Sequence, residues 1–325
     1  MKRAVQIVVA ALALGGCRSA EATPQTTAQK TSGVVVRVLD VGQGDATLIE
    51  NGTSRVLIDG GPETKRMGEL LDSLHLNNTT IDVVILTHQH ADHLVGLRSL
   101  FETKRGIKVR FFFENQDAYT TSNLRQLRDS VIARMERGEL TYRDTDDPCA
   151  NGRPICTITM NGGAKLHIMR PMPSASNPND RSAPVKLVGP DSAAFSMWFA
   201  GDAEHDAIDW FLGDAKYDVN PGMHVSVLKA DHHGSCNGVT RAYLDATRPS
   251  WLVASVGQNG YGHMHQQAKT LYTKQHVQWY RTDQNGTIEI RSPGTGGGKF
   301  SIVAQHGATN MRAKTDKTAP KSTCN

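Results

Sequence analysis

The distribution of apolar and polar positions predicts a succession of strands and helices. The first apolar runs are short, rich in β-branched residues and separated by glycine-containing turns, as in a β-meander. These runs cover 34–39, 46–50 and 55–59. The segment 63–76 then has apolar residues spaced along one helical face, and the run 81–86 is apolar except for Asp82. That run is typical of a strand buried on both faces.

The alternation of strand and helix patterns continues along the chain. Further strands are expected at 109–113, 165–169, 185–188, 195–200, 225–230, 251–256, 278–281 and 287–291. Further helices are expected at 122–137, 203–212, 238–247 and 265–274. Alternating elements favour one layered α/β domain over two separate folds, and we assign it residues 33–291. The segments 144–153 and 171–184 are rich in turn-forming residues, and we expect them to be inserted loops.

Composition narrows the class of protein without indicating a partner. The 325 residues are 38% hydrophobic and 21% charged, as in an ordinary globular protein. No apolar run approaches the roughly 20 residues that cross a bilayer, which excludes a polytopic membrane protein. The formal net charge of +4 tolerates a polyanionic partner, but nucleic-acid binders usually concentrate basic residues on one face.

The N-terminus has the pattern of a targeting segment. Two basic residues precede a short apolar stretch, and Gly15-Gly16-Cys17 follows. This predicts a signal peptide at 1–16 and, as in bacterial lipoproteins, a lipid anchor on Cys17; an ordinary signal peptide is the alternative. Residues 17–32 are expected to be a flexible tether. We therefore expect a membrane-anchored lipoprotein that faces the periplasm or the exterior.

The C-terminal residues 292–325 are glycine-rich and basic. A frayed tail is the simpler interpretation, and a nucleic-acid-binding arm is the alternative. Besides Cys17 the chain has four cysteines, Cys149, Cys156, Cys236 and Cys324, which allow three pairings. A pair between the first two would close a small loop, and a pair between the last two would hold the tail. Their wide spacing does not indicate a zinc site.

A dense histidine and aspartate motif follows the run 81–86. His88, His90, Asp92 and His93 lie together at this strand end, where open α/β sheets place their sites. Two ligands separated by one residue converge on one metal ion from a loop, while the last two face a second position. We therefore expect two ions here rather than solvent-exposed surface histidines.

Distant strands offer the remaining ligands. Asp202 follows the apolar strand 195–200, where its carboxylate would bridge two cations; capping of the next helix is the alternative. Another apolar strand leads to His232 and His233. One of them is expected to bind metal, and the other to orient substrate or protonate a leaving group, since imidazole titrates near neutral pH.

These motifs resemble those of the metallo-β-lactamase-fold hydrolases. The run from His88 to His93 matches the HxHxDH signature of that family, and Ile58-Asp59-Gly60-Gly61 is similar to its aspartate turn. A closer likeness is to the extracellular hydrolase domain of ComEC-type DNA-uptake competence proteins. The stretches that carry this likeness are 39–46, 199–202, 228–235, 256–263 and 281–286.

The resemblance implies an αββα sandwich with metal ligands on loops at one edge of the two sheets. It implies His88 and His90 at the first metal ion, Asp92 and His93 at the second with His232 or His233, and Asp202 between the two. ComEC-type domains often carry aspartate where this chain has His90. The wider family also has a histidine between the first cluster and the bridging aspartate. Only His167 lies there, and strand alternation favours a face position for it, so water or His263 would complete the first site.

The expected cofactors are two divalent cations, zinc or manganese, which would ionise a shared water and neutralise a phosphoryl oxygen. Hydrolysis is then the expected reaction. We assign roles in it to Asp92 and His233. Asp59 would contribute from behind the ligands by fixing histidine tautomers. For Asp45 the same role and a turn-stabilising bond are equally compatible.

Contacts to substrate are assigned to His263, Lys229 and Ser235, with a helix-terminal role as the alternative for His263. The resemblance implies a phosphodiester substrate, DNA outside the cytoplasm. One alternative is hydrolysis of a β-lactam, a lactone or another cyclic amide or ester. The other is a non-catalytic DNA-capture lipoprotein, against which the intact ligand set argues.

Overall fold

The computed structural model describes residues 32–117, 121–191, 194–294, 299–320 and 324. The predicted signal peptide and Cys17, together with the tether up to residue 31, lie outside these ranges. Two sheets pack face to face, and helices cover their outer surfaces. The αββα sandwich expected from the sequence is therefore confirmed. Among the described residues, no helix has the length and apolar character needed to span a bilayer.

The strands found within the described ranges alternate with helices along the chain. The strands are β1 (Val34–Val38), β2 (Thr47–Asn51), β3 (Ser54–Ile58), β4 (Thr80–Ile85), β5 (Lys108–Glu114), β6 (Thr141–Asp144), β7 (Ile155–Thr159), β8 (Lys165–Met169), β9 (Val185–Val188), β10 (Ser196–Phe199), β11 (Val227–Lys229), β12 (Trp251–Ala254), β13 (Gln278–Arg281), β14 (Ile288–Ser292) and β15 (Ser301–Ala304). The helices are α1 (Thr64–Ser73), α2 (Ala91–Leu94), α3 (Ser122–Glu136), α4 (His205–Leu212), α5 (Arg241–Thr247), α6 (Gln266–Lys274) and α7 (Thr282–Asn285).

The order of strands brings parallel neighbours together in both sheets. The first sheet has the order β15-β14-β1-β2-β3-β4-β5-β6, and the second has β13-β12-β11-β10-β9-β8-β7. Strands β3 to β6 are parallel, as are β10 to β13. Because parallel strands end at the same edge of a sheet, the loops that follow β3, β4, β10, β11 and β12 gather there.

Alternation along the strands divides the apolar side chains into three layers. Leu48 packs against the helices beside the first sheet, whereas the next residue, Ile49, lies between the sheets. In the second sheet Phe199 lies between the sheets, and Trp198 packs against the helical layer. All four side chains are almost completely buried. The period of two along each strand thus positions both sheets for face-to-face packing.

Strands β6, β7 and β15 were not expected from the sequence. All residues of β6 and β7 are half-buried or exposed, so their apolar pattern is weak. Strand β15 lies in the segment expected to be a frayed tail, and it pairs with β14 from Ile288 opposite Ala304. That expectation is therefore wrong for this part of the tail.

The four cysteines in the described part of the chain form one disulfide and leave two thiols. Cys236 and Cys324 form a disulfide across 88 residues of chain, which is one of the two pairs considered above and connects the tail to the second sheet's helical layer. Cys149 and Cys156 are half-buried free thiols. The pKa of Cys156 is raised to about 12 by burial and by the neighbouring Cys149 thiol.

A buried charge cluster attaches the C-terminal segment to the domain. The Oδ2 atom of Asp316 accepts hydrogen bonds from Lys269 Nζ at 2.6 Å and from Arg281 Nη1 at 2.8 Å. All three residues are buried. Two buried cations therefore depend on a carboxylate contributed by the tail.

Replacing Asp316 with alanine should strongly destabilise the fold. Removal of one partner leaves the Lys269 ammonium without its carboxylate and the Arg281 guanidinium with only Asp283, and breaking a buried pair costs about 3–5 kcal/mol. Urea unfolding of both proteins measures the change. Glu139→Ala, which removes the partner of Arg137 in an exposed pair, is the matched control and should leave the midpoint in place. Equal midpoints for the two variants would contradict the prediction.

Candidate metal centre

The first group of predicted ligands is anchored between two parallel strands. His88 follows β4, and Asp59 follows the neighbouring β3. Asp59 Oδ1 accepts a hydrogen bond from Thr87 N at 2.8 Å, and Asp59 Oδ2 accepts one from Thr87 Oγ1, also at 2.8 Å. Asp59 adopts a φ of 57°, in the left-handed region. The turn after β3 therefore holds the backbone from which the histidine loop begins.

The same carboxylate orients the last histidine of the motif. His93 Nδ1 lies 2.8 Å from Asp59 Oδ2, so the opposite ring nitrogen, Nε2, faces Asp202 Oδ1 at 3.2 Å. Asp59 is buried and its oxygens are engaged by Thr87 and His93. Its surroundings are those of a residue that positions His93, which is the role that the tautomer argument gives it.

Asp202 enters the site from the second sheet. It follows β10, its backbone N–H donates to Ser182 Oγ at 3.1 Å, and its side chain is 2% exposed. Helix α4 instead has Glu204 as its N-terminal cap residue. The alternative in which Asp202 caps that helix is therefore wrong, and its carboxylate faces the histidines.

The paired histidines after β11 have different surroundings. Both adopt left-handed backbone conformations, with φ of 46° for His232 and 56° for His233. His233 Nε2 lies 3.2 Å from Asp92 Oδ2 and 3.3 Å from Asp202 Oδ2. His232 Nδ1 lies 3.1 Å from Glu204 Oε1, and its Nε2 is 3.9 Å from Asp202.

Two groups of candidate ligands share one carboxylate. In each group the ligand atoms lie within 4.8 Å of one another. The first group is His88, His90 and Asp202, and the second is Asp92, His93, Asp202 and His233. The structure thus brings together the predicted ligands of both positions and places Asp202 in both groups.

The structure places the two neighbouring histidines differently with respect to the ligand groups. His233, predicted to act in the reaction, belongs to the second ligand group, whereas His232, predicted to bind metal, does not. Glu204 occupies His232 at Nδ1, and the other ring nitrogen lies beyond hydrogen-bond distance of Asp202. His232 lies beside the group, and its role at a metal ion or at a substrate stays a prediction.

Buried atoms without hydrogen bonds show that divalent cations fit these groups. His93 Nε2 and Asp202 Oδ1 face each other without hydrogen-bond geometry, and neither has a hydrogen-bond partner. Buried polar atoms are normally satisfied. Imidazole nitrogen and carboxylate oxygen are also the donors that zinc and manganese accept. The residues present therefore fit the expected pair of cations.

The pKa shifts of these residues also support the binding of cations. Burial raises the pKa of Asp202, but the charges of His233 and His93 outweigh it and hold that pKa well below its ordinary value. Burial lowers the pKa of His93, yet the carboxylates of Asp202 and Asp59 hold it well above the ordinary value. For His88, burial and the nearby His93 lower the pKa far below the ordinary value. The Asp202 carboxylate is thus ionised, and the centre favours positive charge.

The hydrogen bond of His233 Nδ1 decides the tautomer of this ring. His233 Nδ1 lies 3.0 Å from the carbonyl oxygen of Ser255. Because a carbonyl oxygen can only accept, Nδ1 carries the proton. In the neutral ring Nε2 then presents its lone pair toward Asp92 and Asp202, as a metal ligand requires.

Lys229 lies in a buried ion pair, and its predicted contact with substrate stays a prediction. Its side chain is 2% exposed, and Nζ donates to Asp45 Oδ2 at 2.8 Å and to the Ala230 carbonyl oxygen at 3.0 Å. Asp45 Oδ1 in turn lies 3.4 Å from His233 Nδ1. Burial raises the pKa of Asp45, but Lys229 and His233 together outweigh it and lower that pKa, so the carboxylate is ionised. Asp45 therefore faces a ligand, and Lys229 balances Asp45.

The remaining predicted residues divide between the site and its surroundings. Ser235 is buried with Oγ 3.3 Å from His265 Nδ1, and its predicted contact with substrate stays a prediction. His263 is buried beside the paired histidines, 5.3 Å from His232 between ring centroids, and its predicted contact with substrate stays a prediction.

His167 lies on β8 with Nδ1 2.9 Å from Thr157 Oγ1, and neither ligand group includes it. Strand alternation had favoured such a face position.

Sequence reasoning missed Glu204 and the Ser255 carbonyl. Each acts on a histidine that lies in a different loop. A main-chain oxygen has no side-chain signature, and Glu204 reads as a helix-capping position. Only the three-dimensional arrangement could find them.

A pair of substitutions separates the structural role of Lys229 from its effect on the centre. Lys229→Met should lower the free energy of unfolding by about 3–5 kcal/mol, because it leaves Asp45 buried and unpaired. The double variant Lys229→Met with Asp45→Leu should recover most of this stability. It should still bind the second cation about 10–100-fold more weakly, since His233 has lost a carboxylate behind it.

Urea unfolding measures stability, and zinc titration of the metal-free protein against a chromophoric chelator measures affinity. Arg105→Met is the control for destabilisation alone, because Arg105 is a buried cation that pairs with Asp72 of α1. Recovery of both stability and affinity in the double variant would show that Asp45 has no role in positioning His233.

Comparison with known proteins finds similarity to the family that the sequence motifs resemble. Residues 39–110 match the metallo-beta-lactamase superfamily. ComE operon protein 3 of Bacillus subtilis (strain 168) is 25% identical over 280 residues, which cover 79% of this chain and 33% of that protein. Beta-lactamase-like protein 2 homolog of Drosophila melanogaster is 40% identical over 65 residues, 19% of this chain and 22% of that protein. The alignments thus span a third or less of these relatives.

Among solved structures, the metallo-beta-lactamase fold protein YhfI from Bacillus subtilis is similar with a TM-score of 0.45 and 12% identity. The match covers 80% of this chain and 100% of that one. The chain has the metallo-β-lactamase fold, and its resemblance to the ComEC type is confirmed by similarity to part of ComE operon protein 3 over most of its length.

Proposed function

We propose that this protein is a dinuclear metal-dependent hydrolase that cleaves phosphodiester bonds, with DNA outside the cytoplasm as its substrate. One observation supports the dinuclear site above all others, namely that Asp202 belongs to both ligand groups. A carboxylate has two oxygens and can bind one cation with each. Many enzymes that hydrolyse phosphodiester bonds have two-metal sites of this kind.

The roles of the residues follow from the two groups. His88 and His90 would hold one cation, and Asp92, His93 and His233 the other, with Asp202 bridging. When bound, the two cations would ionise a water near neutral pH and neutralise charge on a phosphoryl oxygen. Zinc and manganese both suit this donor set.

The chain's own side chains fix the geometry of that reaction. Asp59 and the Ser255 carbonyl oxygen hold the Nδ1 atoms of His93 and His233, so both Nε2 atoms are directed into the site. His232, held at Nδ1 by Glu204, presents its other nitrogen toward a substrate. The positions of these rings are set before substrate binds, which lowers the cost of reaching the transition state.

DNA as the substrate is supported by the sequence motifs shared with competence-type domains. The site's donor set suits a phosphodiester, whose oxygens are anionic and interact directly with cations. A β-lactam or lactone hydrolase would use the same ligands. A DNA-capture protein would keep the fold without turnover, and the complete ligand groups argue against it.

Assays of the purified protein on two chromogenic substrates and on single-stranded DNA separate these functions. Bis-p-nitrophenyl phosphate and single-stranded DNA should be cleaved, and nitrocefin should not. EDTA and His88→Ala should each lower the rate about 100-fold or more, because each removes transition-state stabilisation supplied by a cation. His167→Ala is the matched control and should retain activity and about two ions per chain, as a dinuclear centre requires.

Two results would contradict the proposal. Turnover of nitrocefin without phosphodiester cleavage would indicate the lactamase alternative. DNA binding that weakens steeply with salt but persists after chelation and in His88→Ala, without any cleavage, would indicate capture.

We further propose that the protein works outside the cytoplasm, attached to a membrane by a lipid on Cys17. The apolar N-terminal stretch followed by Gly15-Gly16-Cys17 supports this. Expressed in bacteria, the protein should partition with membranes, and Cys17→Ser should appear in the aqueous fraction or as uncleaved precursor. Cys149→Ser is the control and should stay with the membranes. A soluble wild-type protein would contradict the anchor.

A further inference from the structure

An exposed tyrosine lies at the rim of the metal centre. Tyr261 is 73% exposed, which is unusual for a large aromatic side chain. Its ring stacks on that of His263, with the centroids 5.6 Å apart and an angle of 25° between the planes. One face of the tyrosine ring is thus supported by protein and the other side is open to solvent.

The backbone that carries this ring is held in place. The Asn259 side chain accepts hydrogen bonds from the Gly262 and His263 N–H groups at 2.7 and 3.1 Å, and it donates to the Gly257 carbonyl at 2.9 Å. The Tyr261 carbonyl lies 3.3 Å from His265 Nε2. The loop is therefore ordered by its own polar contacts, and the exposed ring has a defined position.

The supporting ring connects Tyr261 to the candidate ligands. The His263 ring lies 5.3 Å from the His232 ring and 6.1 Å from the His233 ring, between centroids. His233 belongs to the second ligand group. Only one intervening ring therefore separates the exposed tyrosine from the cluster that would act on a phosphodiester.

We propose that Tyr261 stacks on a nucleobase adjacent to the phosphodiester that is cleaved, and that the substrate is single-stranded nucleic acid. This inference rests on the proposed function. A planar ring with one free face binds a base of any sequence, because every base has an aromatic face. Bases inside a duplex are already stacked on each other, so an unpaired strand is favoured. Tyr261 is in this sense a substrate-positioning residue.

The test compares two substrates of equal length and charge, an oligothymidylate and an oligomer with tetrahydrofuran abasic units. For the wild type, kcat/KM should be higher on the oligothymidylate by about 5- to 150-fold, the range expected for stacking of one base. In Tyr261→Ala this ratio should fall toward one, and in Tyr261→Trp it should be retained. A defect of structure alone would lower both rates together and leave the ratio unchanged.

Controls distinguish failure of the inference from failure of the proposed function. Phe111→Ala, which removes an aromatic ring 36% exposed on β5, should keep the wild-type ratio. Cleavage of both oligomers at equal rates by the wild type, or an unchanged ratio in Tyr261→Ala, would overturn the role of Tyr261 while the phosphodiesterase remains. If the wild type cleaves neither oligomer nor bis-p-nitrophenyl phosphate, the proposed function fails, and the inference fails with it.

Discussion

The burial of one carboxylate, that of Asp202, constrains the whole site. It is 2% exposed, and an ionised carboxylate removed from water costs several kcal/mol unless positive charge compensates it. His93 and His233 approach it to 3.2 and 3.3 Å from loops after different strands. Those strands belong to different sheets. Compensation is therefore possible only if both sheets present their parallel strand ends at one edge.

The residues behind the candidate ligands extend the same balance of charge. Asp59 lies behind His93, and Asp45 behind His233. Each carboxylate is buried in turn, and Lys229 compensates Asp45. Carboxylates thus alternate with nitrogen-bearing side chains outward from the centre. This alternation explains why the Lys229 ammonium is buried near the site, since it pairs with the Asp45 carboxylate within the protein.

Sequence reasoning predicted the features that depend only on short stretches of the chain. The histidine and aspartate motif needed only its spacing, and most strands and helices followed from apolar periodicity with ends displaced by a few residues. The roles of His232 and His233 were left open, because their left-handed backbone conformations decide which ring faces Asp202. The partner of Lys229 lies 184 residues away, and no local pattern indicates it. Strand β15 was missed for a similar reason, since its pairing with β14 depends on a partner across a glycine-rich stretch.

The surroundings of the centre indicate where affinity for a substrate must arise. A cavity of about 560 Å³ adjoins the first ligand loop through Gln89 and is lined by Arg181. The Arg181 guanidinium is bound by Asp117 and Asp146, each at 2.7 Å, so its charge is balanced within the protein. Together with a net charge of only +4, this gives little long-range attraction for a polyanion. For the proposed substrate, short-range contacts with bound cations and with exposed rings such as Tyr261 would then supply most of the binding, and misplacement of the reacting group by about 1 Å would cost about 100-fold in rate.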